Sequence, residues 1–372
     1  RNHPSLAVHC GGNEFNAYSY GNAASMEVMC RSVRTLDPSR IWYDTTPDKG
    51  SAHIYRDMEP TWYRRLYRDL PFVAETGIHS FPTYRSLCLC LGEKESTQRI
   101  PELTGEEFRE RFPELLNHFV EYVSERVPRM LARASQIMPL EDIVLEELCE
   151  ASQMASCEYY AILVQALREN YPVTVGLMPW VFRRTWTTVG IQLVDGGGMP
   201  IAPYYYLKNA FRSLEAHLAL EQISLLPGEN LRIPIRLCNE YYEILDSRTV
   251  RTQAWSPDLE CLKRQEVPAK EADGEIFEMN TDPSWADRFF FLTIELRERG
   301  RLLSRQAYWP KCLSLLEEEG MAKRCRSHPQ ENFRLDKGPW LKPQVEACKG
   351  AVLQAKVASW DCRGRRASCL LR

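Results

Sequence analysis

Over roughly its first two hundred residues the chain alternates short apolar runs with helix-patterned stretches, and this alternation constrains the fold most. Leu6-Ala7-Val8 leads into a Gly-Gly-Asn-Glu turn, Ala23–Val33 reads as a helix, and Ile41-Trp42-Tyr43 reads as a strand. Ala52–Tyr55 is a further candidate strand, and Phe72-Val73-Ala74 is another that runs directly into Glu75. Parallel neighbours need a long crossover, usually a helix, so this order predicts an α/β region built on a parallel sheet. Thr104–Ile137 reads as helical, opened by a Thr104/Glu107 capping box and carried by Phe108, Phe112, Leu115, Phe119, Val123, Val127, Met130 and Leu131. Pro113 and Pro128 each start or kink a helix there. A second helix is expected over Leu145–Arg168, with Leu148, Ala155, Tyr159, Leu163 and Leu167 on one side, followed by an apolar run of strand length at Val173–Trp180.

The pattern changes near Tyr204–Glu215. Strand-like runs separated by turns follow: His217–Leu225, the Pro227-Gly228 turn, then Leu231–Cys238. Phe289–Leu296 and Leu302–Trp309 flank a connection containing Gly300, which predicts a hairpin. Antiparallel strands at this spacing suggest a β-sandwich of immunoglobulin type. Asp246–Glu275 has the weakest periodicity and is the expected site of proteolytic cleavage. Residues 311–372 hold one more strand-like run, Gly350–Val357, too little for a sandwich of their own.

A chain of 372 residues can hold two or three cores. Its net charge of -3 gives no electrostatic reason to expect nucleic acid or an anionic membrane as a partner, and no apolar run reaches membrane-spanning length. Thirteen cysteines form no CxxC pair, and Cys88 and Cys90 are too close for a zinc knuckle. A set of reduced thiols is the plainer reading, which favours a cytoplasmic location. Nine tryptophans suit sugar stacking and a large core equally. His3, His9, His53 and His79 lack the spacing of a metal site, so no metal is expected on them. Gly11-Gly12 is a turn and not a phosphate loop, because no Lys-Ser/Thr follows.

Glu14 and Glu75 each stand where a short apolar strand ends. In parallel α/β folds the carboxyl ends of strands carry the chemistry, and two carboxylates there can face each other across a sugar. A retaining glycosidase needs roughly 5–5.5 Å between them, one protonated and one ionised. Either Glu alone would ordinarily be a solvated surface residue.

The local words are more specific. Arg1-Asn2-His3-Pro4-Ser5 with Gly11-Gly12-Asn13-Glu14, and later Phe72-Val73-Ala74-Glu75-Thr76-Gly77, resemble the two signature segments of glycoside hydrolase family 2. The first motif and Ser80-Phe81-Pro82 look most like its β-mannosidase branch, and the resemblance extends to about Gln354. It implies a (β/α)₈ barrel whose strands four to eight occupy 1–208, an immunoglobulin-like sandwich over 209–310, and a linker with the start of a second sandwich over 311–372. It implies Glu14 as acid/base, Glu75 as nucleophile and Asn13 as a donor to the sugar 2-hydroxyl. Tyr55 would hold the nucleophile and Trp180 would form an aromatic floor, although packing explains each of these two as well. His53 is a further pocket candidate, with His79 beside it; a structural role suits either. The implied activity is retaining exo-β-glycoside hydrolysis without a cofactor, on a β-linked glycoside or oligosaccharide. β-Mannoside is the first expectation, with β-glucosaminide and β-galactoside as alternatives.

The chain departs from the pattern in four places. Leu177–Phe182 lacks the Asn-Asp pair common after the Trp, His79 replaces a Gln, Thr76 replaces an aromatic, and Asp361–Arg372 does not continue the pattern. Barrel strands one to three would lie ahead of Arg1, so the expectation is the carboxyl-terminal part of a longer protein, inactive by itself and of open oligomeric state. A silent carbohydrate-binding protein and an interaction scaffold are the rival classes. Two opposed carboxylates beside Asn13 argue against a site that only binds.

Overall fold

The computed structural model describes residues 2–16, 21–48, 50–101, 103, 105–119 and 126–314. The parallel sheet predicted for the first part is present as two pieces. β1 (Val8–Cys10) pairs in parallel with β2 (Ile41–Tyr43), the two being joined by helix α1 (Asn22–Leu36). Pro38 cannot continue α1, and Asp37 closes it: its carboxylate takes His9 Nε2 at 3.0 Å and Arg40 Nη1 at 2.6 Å. β3 (Ser51–Ile54) and β4 (Phe72–Thr76) are joined by α2 (Pro60–Leu66), and β4 pairs in parallel with both β3 and β6 (Gly176–Pro179). Short β5 (His79–Ser80) pairs antiparallel with β7 (Gly190–Ile191).

Between β5 and β6 lie α3 (Tyr84–Cys88), α4 (Glu93–Thr97), α5 (Glu106–Arg111), α6 (Pro113–Asn117), α7 (Arg126–Ile137) and α8 (Leu145–Arg168), and α9 (Ala202–Ala210) follows β7. The helical stretch expected at 104–137, with its breaks at prolines, is three helices among the described residues. Pro113 opens one of them, as predicted. The N-cap of α5 is Gly105, with no side-chain cap bond; Thr104, and with it the expected capping box, and Val123 lie outside the described residues. α8 has the predicted bounds but a different environment. Eighteen of its 24 residues are buried, on all sides rather than one. It packs against α2, α7, α9 and β5, and its Ala and Ser residues let those neighbours approach. The core around it is rich in aromatics, with Phe81 edge-on to Phe119 at 5.6 Å.

The second part has its own core. A three-stranded antiparallel sheet, β13 (Ile276–Asn280), β10 (Asn230–Asn239) and β8 (Leu214–Leu218), faces a four-stranded one. The latter runs β12 (Cys261–Pro268), β11 (Arg248–Trp255), β14 (Phe291–Glu298), β15 (Arg301–Tyr308). The predicted β14–β15 hairpin is present, shifted by one or two residues. It turns on Arg299 and Gly300, both at positive φ as a tight hairpin requires.

Four expectations for this and the preceding region need correction. The strand expected at His217–Leu225 is two strands, β8 and β9 (Ser224–Leu225), and β9 pairs in parallel with β16 (Lys311–Cys312). The chain between them is drawn to the start of α2: Thr61 N donates to Glu221 O at 3.0 Å, and Ile223 N to Glu59 Oε2 at 2.5 Å. Asp246–Glu275 is not a loosely structured stretch but contains β11, β12 and α10 (Ala269–Ala272). Its period-two signal rests on Val250, Thr252 and Ala254, all buried, of which only Val250 is strongly apolar. The run Val173–Trp180 yields only the four-residue β6, and Val173, Val175 and Met178 are exposed. β1 starts at Val8, two residues later than Leu6. The run Gly350–Val357 and the tail Asp361–Arg372 lie outside the described residues. None of the nine described cysteines is in a disulfide, and no described helix is long and apolar enough to cross a membrane.

Candidate active site

Four of the six candidate residues converge at the carboxyl ends of the parallel strands. The chain leaving β1 stays paired to the chain leaving β2. Thr46 N donates to Gly12 O at 3.2 Å, and Glu14 N to Thr46 O at 2.7 Å. Gly11 permits this approach, since a Cβ there would meet Asp44 O and Met26 Sδ, each at 2.7 Å. Glu14 then turns out of the ladder at φ 52°, and its side chain is 55% exposed. Glu75 lies within β4 with its side chain 12% exposed, so one carboxylate faces solvent and the other lies within the fold.

β3 supplies the groups between them. His53 Nδ1 lies 2.6 Å from Glu14 Oε1 and 3.9 Å from Glu75 Oε1. One proton shared between His53 and Glu14 satisfies the shorter contact in either tautomer. Tyr55 OH, just past β3, donates to Glu75 Oε1. One oxygen of each Glu and one His53 nitrogen lie within 4.8 Å of one another. These are donor types that a divalent cation accepts as well.

Asn13 and Trp180 stand beside this group. Asn13 Oδ1 accepts from Thr46 Oγ1 at 2.9 Å, which leaves the amide NH₂ as its donor. Trp180 follows β6, its N–H donating to Thr76 O at 2.8 Å, and the Arg184 guanidinium lies 4.9 Å from its ring centre. Gly77 makes this crossing possible, since a Cβ there would fall 2.7 Å from Trp180 O and 2.3 Å from Ile191 Cγ2. His79 does not line the site: it is fully buried in β5. His9 is likewise structural, on Asp37.

Sequence reasoning missed the buried network behind Tyr55. Arg133 of α7 makes a bidentate pair with Asp57, at 2.6 and 2.5 Å, and a third bond to Glu158 of α8. Tyr63 OH donates to Arg56 O at 2.6 Å, and Tyr159 OH to Ile54 O at 3.0 Å. Together these fix the segment that carries His53 and Tyr55. The one available signal was a Glu amid the apolar residues of α8.

Two carboxylates share one guanidinium here. Burial, outweighing the pull of Arg133, pushes Glu158 up to about 7, while Asp57 and Glu158 hold the Arg133 proton more firmly than burial loosens it. The folded chain thus binds the Glu158 proton more tightly than the unfolded chain does. That stabilisation is complete below the unfolded carboxyl value and is lost as pH rises through about 7. Glu158→Gln should therefore flatten the stability profile between about pH 5 and pH 7.5, removing a decline on the order of 3 kcal/mol. Parallel urea unfolding series on both proteins measure it; identical slopes would show that Glu158 does not titrate there.

No family model matches the chain, and no curated protein matches it. Among solved structures it is similar to the β-D-mannosidase of Dictyoglomus thermophilum, at 17% identity and a TM-score of 0.59, covering 83% of this chain and 38% of that one. It is equally similar to the exo-chitosanase of Amycolatopsis orientalis, at 16% identity and a TM-score of 0.59, covering 84% and 37%. The chain thus spans under two-fifths of the length of these structures. At such identity the likeness is one of fold: this chain has the fold of a portion of known β-glycosidases.

Proposed function

We propose that the chain carries the catalytic carboxylates of a retaining exo-β-glycosidase acting first on β-mannosides. The observation that carries this reading is the Glu14–Glu75 pair, one beyond β1 and one at the end of β4, with an oxygen of each within 4.8 Å. Inverting enzymes separate the two carboxyls by roughly 6.5–9.5 Å to admit a water, and retaining ones by roughly 5–5.5 Å. Glu75, steadied by Tyr55, attacks the anomeric carbon while Glu14 protonates the departing oxygen. A glycosyl–enzyme ester forms. Glu14, now a carboxylate, then takes a proton from the water that cleaves the ester and restores both residues. Exposure suits Glu14 to an exchange of leaving group for water, and burial suits Glu75 to a fixed line of attack. His53 bridges the two, and Asn13 offers its amide to the sugar 2-hydroxyl. Trp180 provides a flat apolar surface at the neighbouring strand end.

In this reading β1, β2, β3, β4 and β6 are strands four to eight of a (β/α)₈ barrel spanning residues 1–208. The antiparallel part over 209–310 is an immunoglobulin-like sandwich. Residues 311–372 begin a further unit. The exposed Val28 and Leu36 of α1, and Val175 and Met178 along β6, are then surfaces that strands one to three and their helices cover. Closure of the barrel then holds the carboxylates at the separation seen here and positions the sugar between them.

The test compares the 372-residue chain with the same chain joined to those strands, on aryl β-mannoside, β-glucosaminide, β-galactoside and β-glucuronide. The expected result is no turnover by the short chain and turnover by the closed one, fastest on the β-mannoside. Faster cleavage of another sugar would overturn the sugar assignment. No cleavage of any would overturn the function.

A further inference from the structure

A second group of ligating side chains lies on the three-stranded sheet, apart from Glu14 and Glu75. In the β8–β10 register Glu215 stands opposite Cys238, and His217 opposite Arg236. Leu214, Ala216 and Leu218 point into the core of the antiparallel part, so the alternation sends Glu215 and His217 to the other face. That face meets α8, whose Arg168 Nη1 lies 3.9 Å from Glu215 Oε1. Glu215 is 0% exposed and His217 1%, and Cys238 is partly exposed. His217 Nδ1 lies 2.8 Å from Glu215 Oε1. One ligand atom from each of the three residues lies within 4.8 Å of the other two.

Among the described residues no hydrogen-bond partner reaches Glu215 Oε2 or His217 Nε2. An unsatisfied buried polar atom is costly, more so on a charged group. Around them the junction is partly bonded, with Gln165 Nε2 a further buried atom without a partner among the described residues. Arg168 donates to Arg212 O at 2.9 Å and to Glu240 Oε1 at 2.8 Å, and Tyr308 OH donates to Gln165 Oε1 at 2.8 Å. A group that accepts electron pairs would satisfy Glu215 Oε2 and, in place of the imidazole proton, His217 Nε2. A carboxylate oxygen, an imidazole nitrogen and a thiolate sulfur make a borderline-soft set that suits zinc, and two anions with a neutral imidazole balance its charge.

We propose that Glu215, His217 and Cys238 form a zinc site where the two cores meet, with a water completing the tetrahedron on the partly exposed Cys238 side. The ion ties β8 to β10 across the register and fixes the face on which α8 packs. Its role is structural, and it is independent of the glycosidase reading.

The test uses the full chain, stripped with a chelator and titrated with Zn²⁺ by calorimetry and with Co²⁺ by absorption. One equivalent of either ion is expected to bind, with a thiolate-to-cobalt charge-transfer band. Cys238→Ser, a mild change at a partly exposed position, should abolish the band and weaken zinc binding by at least about 100-fold while far-ultraviolet dichroism is unchanged. Cys261→Ser, exposed on β12, should leave both intact. No metal uptake by the folded chain would mean that Glu215 and His217 form only an ion pair, and a band that survives Cys238→Ser would place the metal elsewhere; either overturns the site.

Discussion

Glu75→Gln, made in the chain with its barrel completed, is expected to lower kcat by about 10⁴-fold or more, because no other side chain in the site can form the glycosyl ester. The loss alone does not distinguish nucleophile from acid, since removing either carboxylate is severe. Small anions separate the two roles. In Glu75→Ala, azide can enter the space left by the carboxylate and attack from that face, giving a glycosyl azide of inverted configuration. In Glu14→Ala the ester still forms, and azide attacks it from the opposite face, giving a product of retained configuration. The resemblance implies this assignment, and the different burial of the two carboxylates suits it. Retained azide from Glu75→Ala with inverted azide from Glu14→Ala would reverse it.

The largest expected effect on stability is at Arg133. Arg133→Met takes the cation from buried Glu158 and from half-buried Asp57, which should cost about 3 kcal/mol. For a chain of this size that corresponds to a melting temperature lower by roughly 10 °C. The double variant Arg133→Met with Glu158→Gln replaces the carboxyl left without its partner and should recover part of the loss, the coupling being about 1–3 kcal/mol. Urea unfolding of the four proteins of this cycle measures it. A loss below about 1 kcal/mol for Arg133→Met would show that the network does not hold the segment carrying His53 and Tyr55.

How much of this was legible depended on whether the signal was local. Gly11-Gly12-Asn13-Glu14 and Phe72–Gly77 each report a strand running into a carboxylate, and the structure shows both at strand ends, on parallel strands. The bounds of α8 were readable because its ends carry clear boundaries. Its burial on all sides was not, because burial depends on α2, α7 and α9, which approach from elsewhere in the chain. The interruption between β8 and β9 follows from Glu59 and Thr61, more than 150 residues away in sequence. Arg133 meets Asp57 across 76 residues and Glu158 across 25, with no spacing rule to announce it. β11 was hidden because Thr252 and Ala254 fill buried positions with side chains that carry little hydropathy. Asn13 and Trp180 were named from the resemblance, and the structure places Asn13 on Thr46 and Trp180 just past β6, bonded to the end of β4.

The measurement that tests the central claim most directly is covalent trapping. The completed enzyme is incubated with a 2-deoxy-2-fluoro-β-mannosyl fluoride, whose 2-fluorine slows both formation and breakdown of the ester while its departing fluoride speeds formation, so the ester accumulates. Digestion and mass spectrometry then locate the label. The account predicts one sugar per chain, time-dependent loss of activity, and attachment at Glu75. A label on Glu14, or an unlabelled enzyme that releases product of inverted configuration, would contradict it.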